Sequence, residues 1–151
     1  MLQILLSFVI LMSTPTVDSS ISPKTSKRMA IAKTAKSLVN TKYKYGGKTP
    51  KGFDCSGFTQ YVFNKALNIK LGASSRSQVK QGKTIKSKDA LPGDLIFFKR
   101  SGKVNHVGII YKIDKKSTWV IHSTTSKGVI LEDVKRSTYW RNKVSTIKRV
   151  I

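Results

Sequence analysis

Acidic residues are scarce in this chain: 7 Asp plus Glu stand against 29 Lys plus Arg in 151 residues, a formal net charge of +22. So large a surplus repels itself unless spread over the surface, and it points to a polyanionic partner, whether nucleic acid, an anionic membrane face or an anionic cell wall. Between Asp18 and Asp54 there are nine bases and no acid, and from Cys55 to Lys88 seven more bases and again no acid. Cysteine occurs once, as Cys55, which excludes an intramolecular disulfide framework and any Cys-rich zinc knuckle. Zinc-finger spacing, an aromatic stacking signature of the RNA-recognition kind and a helix-turn-helix are all missing, so nucleic acid is set aside as a partner. No internal repeat or low-complexity tract is present. The one long apolar run, Leu2 to Met12, falls short of the roughly 20 residues a membrane-spanning helix needs.

That run has the length of a signal-peptide core, and small polar residues follow it, with Val17 and Ser19 placed for cleavage after Ser19. We therefore expect a signal peptide over residues 1–19 and an exported protein of residues 20–151, in the periplasm or in the cell wall and beyond. A buried N-terminal strand or helix is the competing reading. No cysteine lies in the run, which excludes lipid-anchored export. With 39% hydrophobic and 24% charged residues, the chain as a whole matches a single globular domain.

Helical spacing of Ile31, Ala35 and Leu38 predicts a helix from about Ser26 to Val39, capped by Ser26. A Gly- and Pro-bearing loop from Tyr43 to Gly52 leads to a second helix, Cys55 to about Leu67, capped by Asp54. A short helix is expected around Ser77 to Gln81. After the turn Leu91-Pro92-Gly93-Asp94 the chain reads β: Leu95 to Phe98, Val107 to Lys112, Thr118 to His122, Val129 to Leu131 and Val144 to Val150 are short, β-branched runs between turn signals. Helices first and strands after describe an α+β domain with helices packed on one face of an antiparallel sheet.

Cys55 falls in the first turn of a helix, where unpaired N–H groups and the helix dipole favour an anion, here a thiolate. The same N–H groups, that of Cys55 above all, could hold an oxyanion. Against this, a lone cysteine is as often a small buried hydrophobe. The only two histidines, His106 and His122, sit in neighbouring β-like runs. One imidazole as base and a third polar group to orient it complete a cysteine-nucleophile set. Zinc held by Cys55, His106 and His122 is the competing constellation.

Tyr43-Lys44-Tyr45-Gly46-Gly47, Gly52-Phe53-Asp54-Cys55-Ser56-Gly57-Phe58, Pro92-Gly93-Asp94-Leu95, His106-Val107-Gly108-Ile109 and Val120-Ile121-His122, in this order and spacing, resemble the NlpC/P60 cysteine peptidases over about Ile31 to Ile151. The resemblance implies a papain-like α+β fold and hydrolysis of amide bonds in peptidoglycan stem peptides or cross-links, with no metal or cofactor. It implies Cys55 as nucleophile, His106 as base and His122 as the third polar residue. Tyr43 matches a tyrosine near the nucleophile, Asp54 and Ser56 match residues that hold the substrate's free amine in some members, and Arg76 is a candidate for a stem-peptide carboxylate. Many members carry a separate wall-binding domain; here the positive charge is expected to adsorb a monomer to anionic wall polymers instead. A non-catalytic cationic wall-binding protein, and a cysteine amidase or toxin acting on another amide, remain the alternatives.

Overall fold

The computed structural model describes residues 21–151, so the expected signal peptide lies outside the described residues. Helix α1 spans Pro23–Ser37, with the Ser22 side chain capping the N–H of Thr25. It begins before the expected Ser26 because Pro23 suits a first turn, where its missing N–H is not needed and its fixed φ is already helical. Ile31 and Ala35 are its buried residues. A two-strand ribbon, β1 (Lys48–Thr49) with β2 (Gly52–Phe53), then delivers the chain to α2, Cys55–Leu67. Asp54 caps α2 as expected, and Asn68 ends it in the left-handed conformation at φ 55°. The short α3 is Ser75–Gln78 rather than 77–81, because Ser74 and Ser77 close a reciprocal capping box that fixes its start.

The remaining strands are β3 (Lys83–Ile85), β4 (Leu95–Arg100), β5 (Lys103–Ile113), β6 (Thr118–Thr124), β7 (Gly128–Asp133) and β8 (Val144–Arg149). They form one antiparallel sheet in the order β3-β8-β4-β5-β6-β7. β3 was not foreseen: it is short, largely exposed and held by pairing with β8, so its own sequence carries little strand pattern. β5 begins at Lys103, which places His106 within the strand and not at its start. β7 extends to Asp133, two residues past the expected end, and so takes in Glu132.

Alternation along the strands gives the sheet two apolar faces. Leu95, Phe97, Val107, Ile109 and Ile121 pack with Ile31, Phe58, Val62 and Phe63 of α1 and α2. Ile96, Phe98, Ile110, Val120 and Ile147 line the opposite face, with Val134 and Trp140 packed there. The turn before β4 is anchored by the fully buried Asp94, whose carboxylate accepts from the Leu91 N–H and pairs with Arg28 of α1 and Arg149 of β8. Among the described residues no helix is long and apolar enough to cross a membrane.

Candidate active site

Two glycines bring α2 against the loop that precedes it. The Asp54 N–H donates to the Gly47 carbonyl at 3.1 Å, and a Cβ on Gly57 would lie 1.9 Å from that same oxygen, so the first turn of α2 tolerates no side chain at this position. Asp54 accepts from the N–H of Gly57 at 2.6 Å and of Gly46 at 3.1 Å. Behind this turn the buried Gln78 side chain donates to the carbonyls of Ser56 and Gly72 and accepts from the Thr59 hydroxyl. Cys55 is thus held at the mouth of a rigid helix end.

The Cys55 side chain is partly buried and lines the same cavity as His106. Burial pushes this thiol above its ordinary pKa, the Asp54 carboxylate adds to the effect, and the N–H groups of Val107, Ser56 and Cys55 oppose it without cancelling it. The resting thiolate expected from the helix end is therefore corrected: the anion-stabilising N–H groups are present, but desolvation outweighs them.

His106 is buried, and its pKa is pushed down to about 3, first by burial and then by the neighbouring His122. Its Nε2 lies 2.9 Å from His122 Nδ1. The His122 Nε2 in turn lies 3.2 Å from Glu132 Oε2, which also accepts from the Trp140 indole N–H at 3.0 Å. The indole stacks on the His106 ring, with centroids 4.6 Å apart and planes at 23°. Each ring nitrogen of His122 is engaged in this array, so the three zinc ligands weighed above do not converge on one point. Among the described residues no group of three His, Cys, Asp or Glu is placed to hold a metal ion.

Cys55, His106 and Tyr43 share a cavity of about 480 Å³ with Glu132 and Trp140, and Arg100, Lys127 and Lys143 add positive charge to its wall. His122 is fully buried behind His106. Of the other expected site residues, Asp54 caps α2, and Ser56 is buried with its hydroxyl donating to Asp54 and to the Ala73 carbonyl. Arg76 is exposed on α3, and none of these three lines the cavity. Sequence reasoning missed Glu132 and Trp140. The available signal was the strand period: His122 pairs with Ile130 across β6 and β7, so Glu132 lies two residues along on the same face.

The model of the NlpC/P60 family matches residues 40–149, which contain every element of this site. The chain belongs to the NlpC/P60 family. It is 42% identical over 121 residues to the gamma-DL-glutamyl hydrolase of Bacillus subtilis, covering 80% of this chain and 29% of that protein. It is 33% identical over 110 residues to the murein DD-endopeptidase MepS/murein LD-carboxypeptidase of Escherichia coli K12, covering 73% of this chain and 56% of that protein. The chain thus spans between about a quarter and a little over half of the length of these relatives. The crystal structure of the NlpC/p60 domain of the peptidoglycan hydrolase SagA superposes with a TM-score of 0.68 at 29% identity, covering 81% of this chain and 97% of that domain.

Two predictions arise from this NlpC/P60 site. A Cβ on Gly108 would meet Val120 Cγ1 at 2.5 Å and His122 Cβ at 2.9 Å. Gly108→Ala is therefore expected to push His122 off His106 and to lower turnover by about tenfold or more, measured as kcat in a folded variant. The second concerns acid. Unfolded His106 binds a proton below its ordinary pKa of 6.5, whereas the folded state resists protonation down to about 3. Stability from this residue is thus present above pH 6.5 and lost as the pH falls toward 3, at about 1.4 kcal/mol per pH unit where the difference is fully developed. The Glu132 carboxyl, held below its ordinary 4.5 chiefly by His122, adds its own loss only at lower pH. Melting temperatures between pH 6.5 and 4.5 are expected to fall in the wild type and to flatten in His106→Asn; parallel slopes would rule out His106 as the source.

Proposed function

We propose that this chain is an exported cysteine endopeptidase that hydrolyses amide bonds in peptidoglycan stem peptides or cross-links through a thioester. The reading is carried by one observation: Cys55, in the first turn of α2, and a His106 whose Nε2 is committed to His122 line one cavity open to substrate. The names of the relatives support hydrolysis of glutamyl or murein amides, and the Leu2 to Met12 run supports export to the envelope.

With both partners uncharged at rest, proton transfer accompanies attack. Sγ bonds to the scissile carbonyl carbon as its proton passes to His106 Nδ1, and the charge on the carbonyl oxygen is met by backbone N–H groups at the start of α2. His106 then gives that proton to the departing amine nitrogen, the C–N bond breaks, and a thioester remains. Water adds to the acyl carbon while His106 takes its proton, the C–S bond breaks, and the thiol recovers the proton. Tyr43 on the cavity wall contacts substrate, and Arg100, Lys127 and Lys143 favour a substrate bearing free carboxylates. Asp54 and Ser56 meet the substrate's amine at the helix end, and Arg76 a carboxylate beyond the cavity. The net charge of +22 adsorbs the protein to anionic wall polymers.

Mass spectrometry of fragments released from purified peptidoglycan, beside Cys55→Ala, tests the reading. Stem-peptide fragments or monomers from cross-linked dimers, released only by the wild type, are expected. Binding by both proteins with no release by either would replace the hydrolase with a wall-binding protein or a different amide substrate.

A further inference from the structure

We propose that Glu132 and Trp140 are positioning residues that set the order of protons along the histidine pair and so leave His106 Nδ1 bare to take the Cys55 proton. The inference rests on the cysteine-peptidase reading above and adds two residues to it. A carboxylate only accepts hydrogen bonds, and an indole N–H only donates. Glu132 Oε2, at 3.2 Å from His122 Nε2, therefore places the His122 proton on Nε2. A neutral ring so protonated has an acceptor at Nδ1. The His106 Nε2, 2.9 Å away, must then carry the His106 proton and donate it to that acceptor, and the only remaining nitrogen of His106, Nδ1, has no proton.

Trp140 closes the array. Its N–H donates to the same Oε2 at 3.0 Å, fixing the carboxylate, while its ring stacks on His106 at 4.6 Å, fixing the imidazole plane. One side chain thus ties the two ends of the chain of hydrogen bonds together. Phe98 contacts the group from β4, with ring centroids 5.6 Å from His106 and 4.9 Å from Trp140. The titratable and charged groups around the array are Glu132 itself and, on the cavity wall, Tyr43, Cys55, Arg100, Lys127, Tyr139 and Lys143. Without Glu132 the His122 proton has no reason to stay on Nε2. Once it moves to Nδ1, the His106 Nε2 must become the acceptor, and its own proton shifts to Nδ1, where it blocks removal of the thiol proton.

The chain has two histidines, so the wild-type long-range proton–nitrogen NMR spectrum reads both tautomers directly, without any need for turnover. Both rings are expected as the Nε2–H form near neutral pH, and His106 is expected to gain the Nδ1–H form in Glu132→Ala. A wild-type His106 protonated on Nδ1, or tautomers unchanged in Glu132→Ala, would overturn the proposal whether or not the protein cleaves peptidoglycan. In turnover, Glu132→Ala is expected to lose about 10²-fold in kcat with KM nearly constant. Glu132→Gln, whose amide oxygen can accept from both His122 and Trp140, is expected to recover most of that loss. Equal losses in both variants would assign the effect to charge and overturn the account of proton order.

Discussion

Cys55→Ala is expected to lower turnover by at least about 10⁴-fold, the scale on which nucleophile removal acts when the rest of a site is intact. The size follows from the geometry. His106 has one ring nitrogen tied to His122, which leaves the other to take the proton of Cys55, the one thiol in the chain; the Tyr43 hydroxyl on the same wall is held above its ordinary pKa by burial and by Cys55 and Asp54. With the thiol gone the thioester route is closed, and water must attack the far less reactive amide directly with only the weakly basic His106 imidazole to assist it. Binding of wall fragments should survive, since the cavity-wall cations Arg100, Lys127 and Lys143 are untouched. The raised Cys55 pKa adds a second reading of the same experiment: alkylation of the wild-type thiol should be slow at pH 6 and accelerate toward alkaline pH, without the acid-side plateau of a preformed thiolate. Turnover of Cys55→Ala near wild type would remove the cysteine mechanism.

The parts of this site that lie in local sequence were legible, and those that depend on sheet register were not. Asp54 as a cap, Cys55 in the first helical turn and the pairing of two histidine-bearing strands follow from turn chemistry and strand period, and each is where that logic puts it. The state of Cys55 did not follow, because helix-end N–H groups are visible in sequence while the packing that dries the thiol is not. Glu132 escaped for a related reason. The β-branched run of β7 fades at Leu131, and the strand residues beyond it are held by pairing of Val120 with Glu132 and Trp119 with Asp133. Trp140 sits outside any strand, in the turns before β8, and reaches His106 only through the fold. The Pro92-Gly93-Asp94 motif carried family resemblance in the sequence, but its physical role appears only when Arg28 and Arg149 are seen to converge on it.

That convergence makes Asp94→Asn the substitution with the largest expected cost in stability. Asp94 is fully buried, and its two oxygens serve Arg28 at 3.1 Å, Arg149 at 2.8 Å and 2.9 Å, and the Leu91 N–H at 2.9 Å. Replacing one oxygen by an NH₂ group turns an acceptor toward a donor and leaves two guanidinium groups without a counter-charge. Removing one member of a buried ion pair costs about 3 to 5 kcal/mol, and the lower end applies here because both arginines retain some access to water. At about 3 kcal/mol the melting temperature of a domain of this size should fall by roughly 10 °C. The effect should be structural in kind: Arg28 is on α1 and Arg149 on β8, so the clasp joins the first helix to the sheet, and none of its three residues lines the cavity. Adding Arg149→Met to Asp94→Asn should therefore cost less than the two single losses combined, because the second change removes a charge the first has already stranded. Specific activity of the folded fraction should remain close to that of the wild type. An Asp94→Asn protein that melts normally yet turns over poorly would instead place this aspartate in the chemistry.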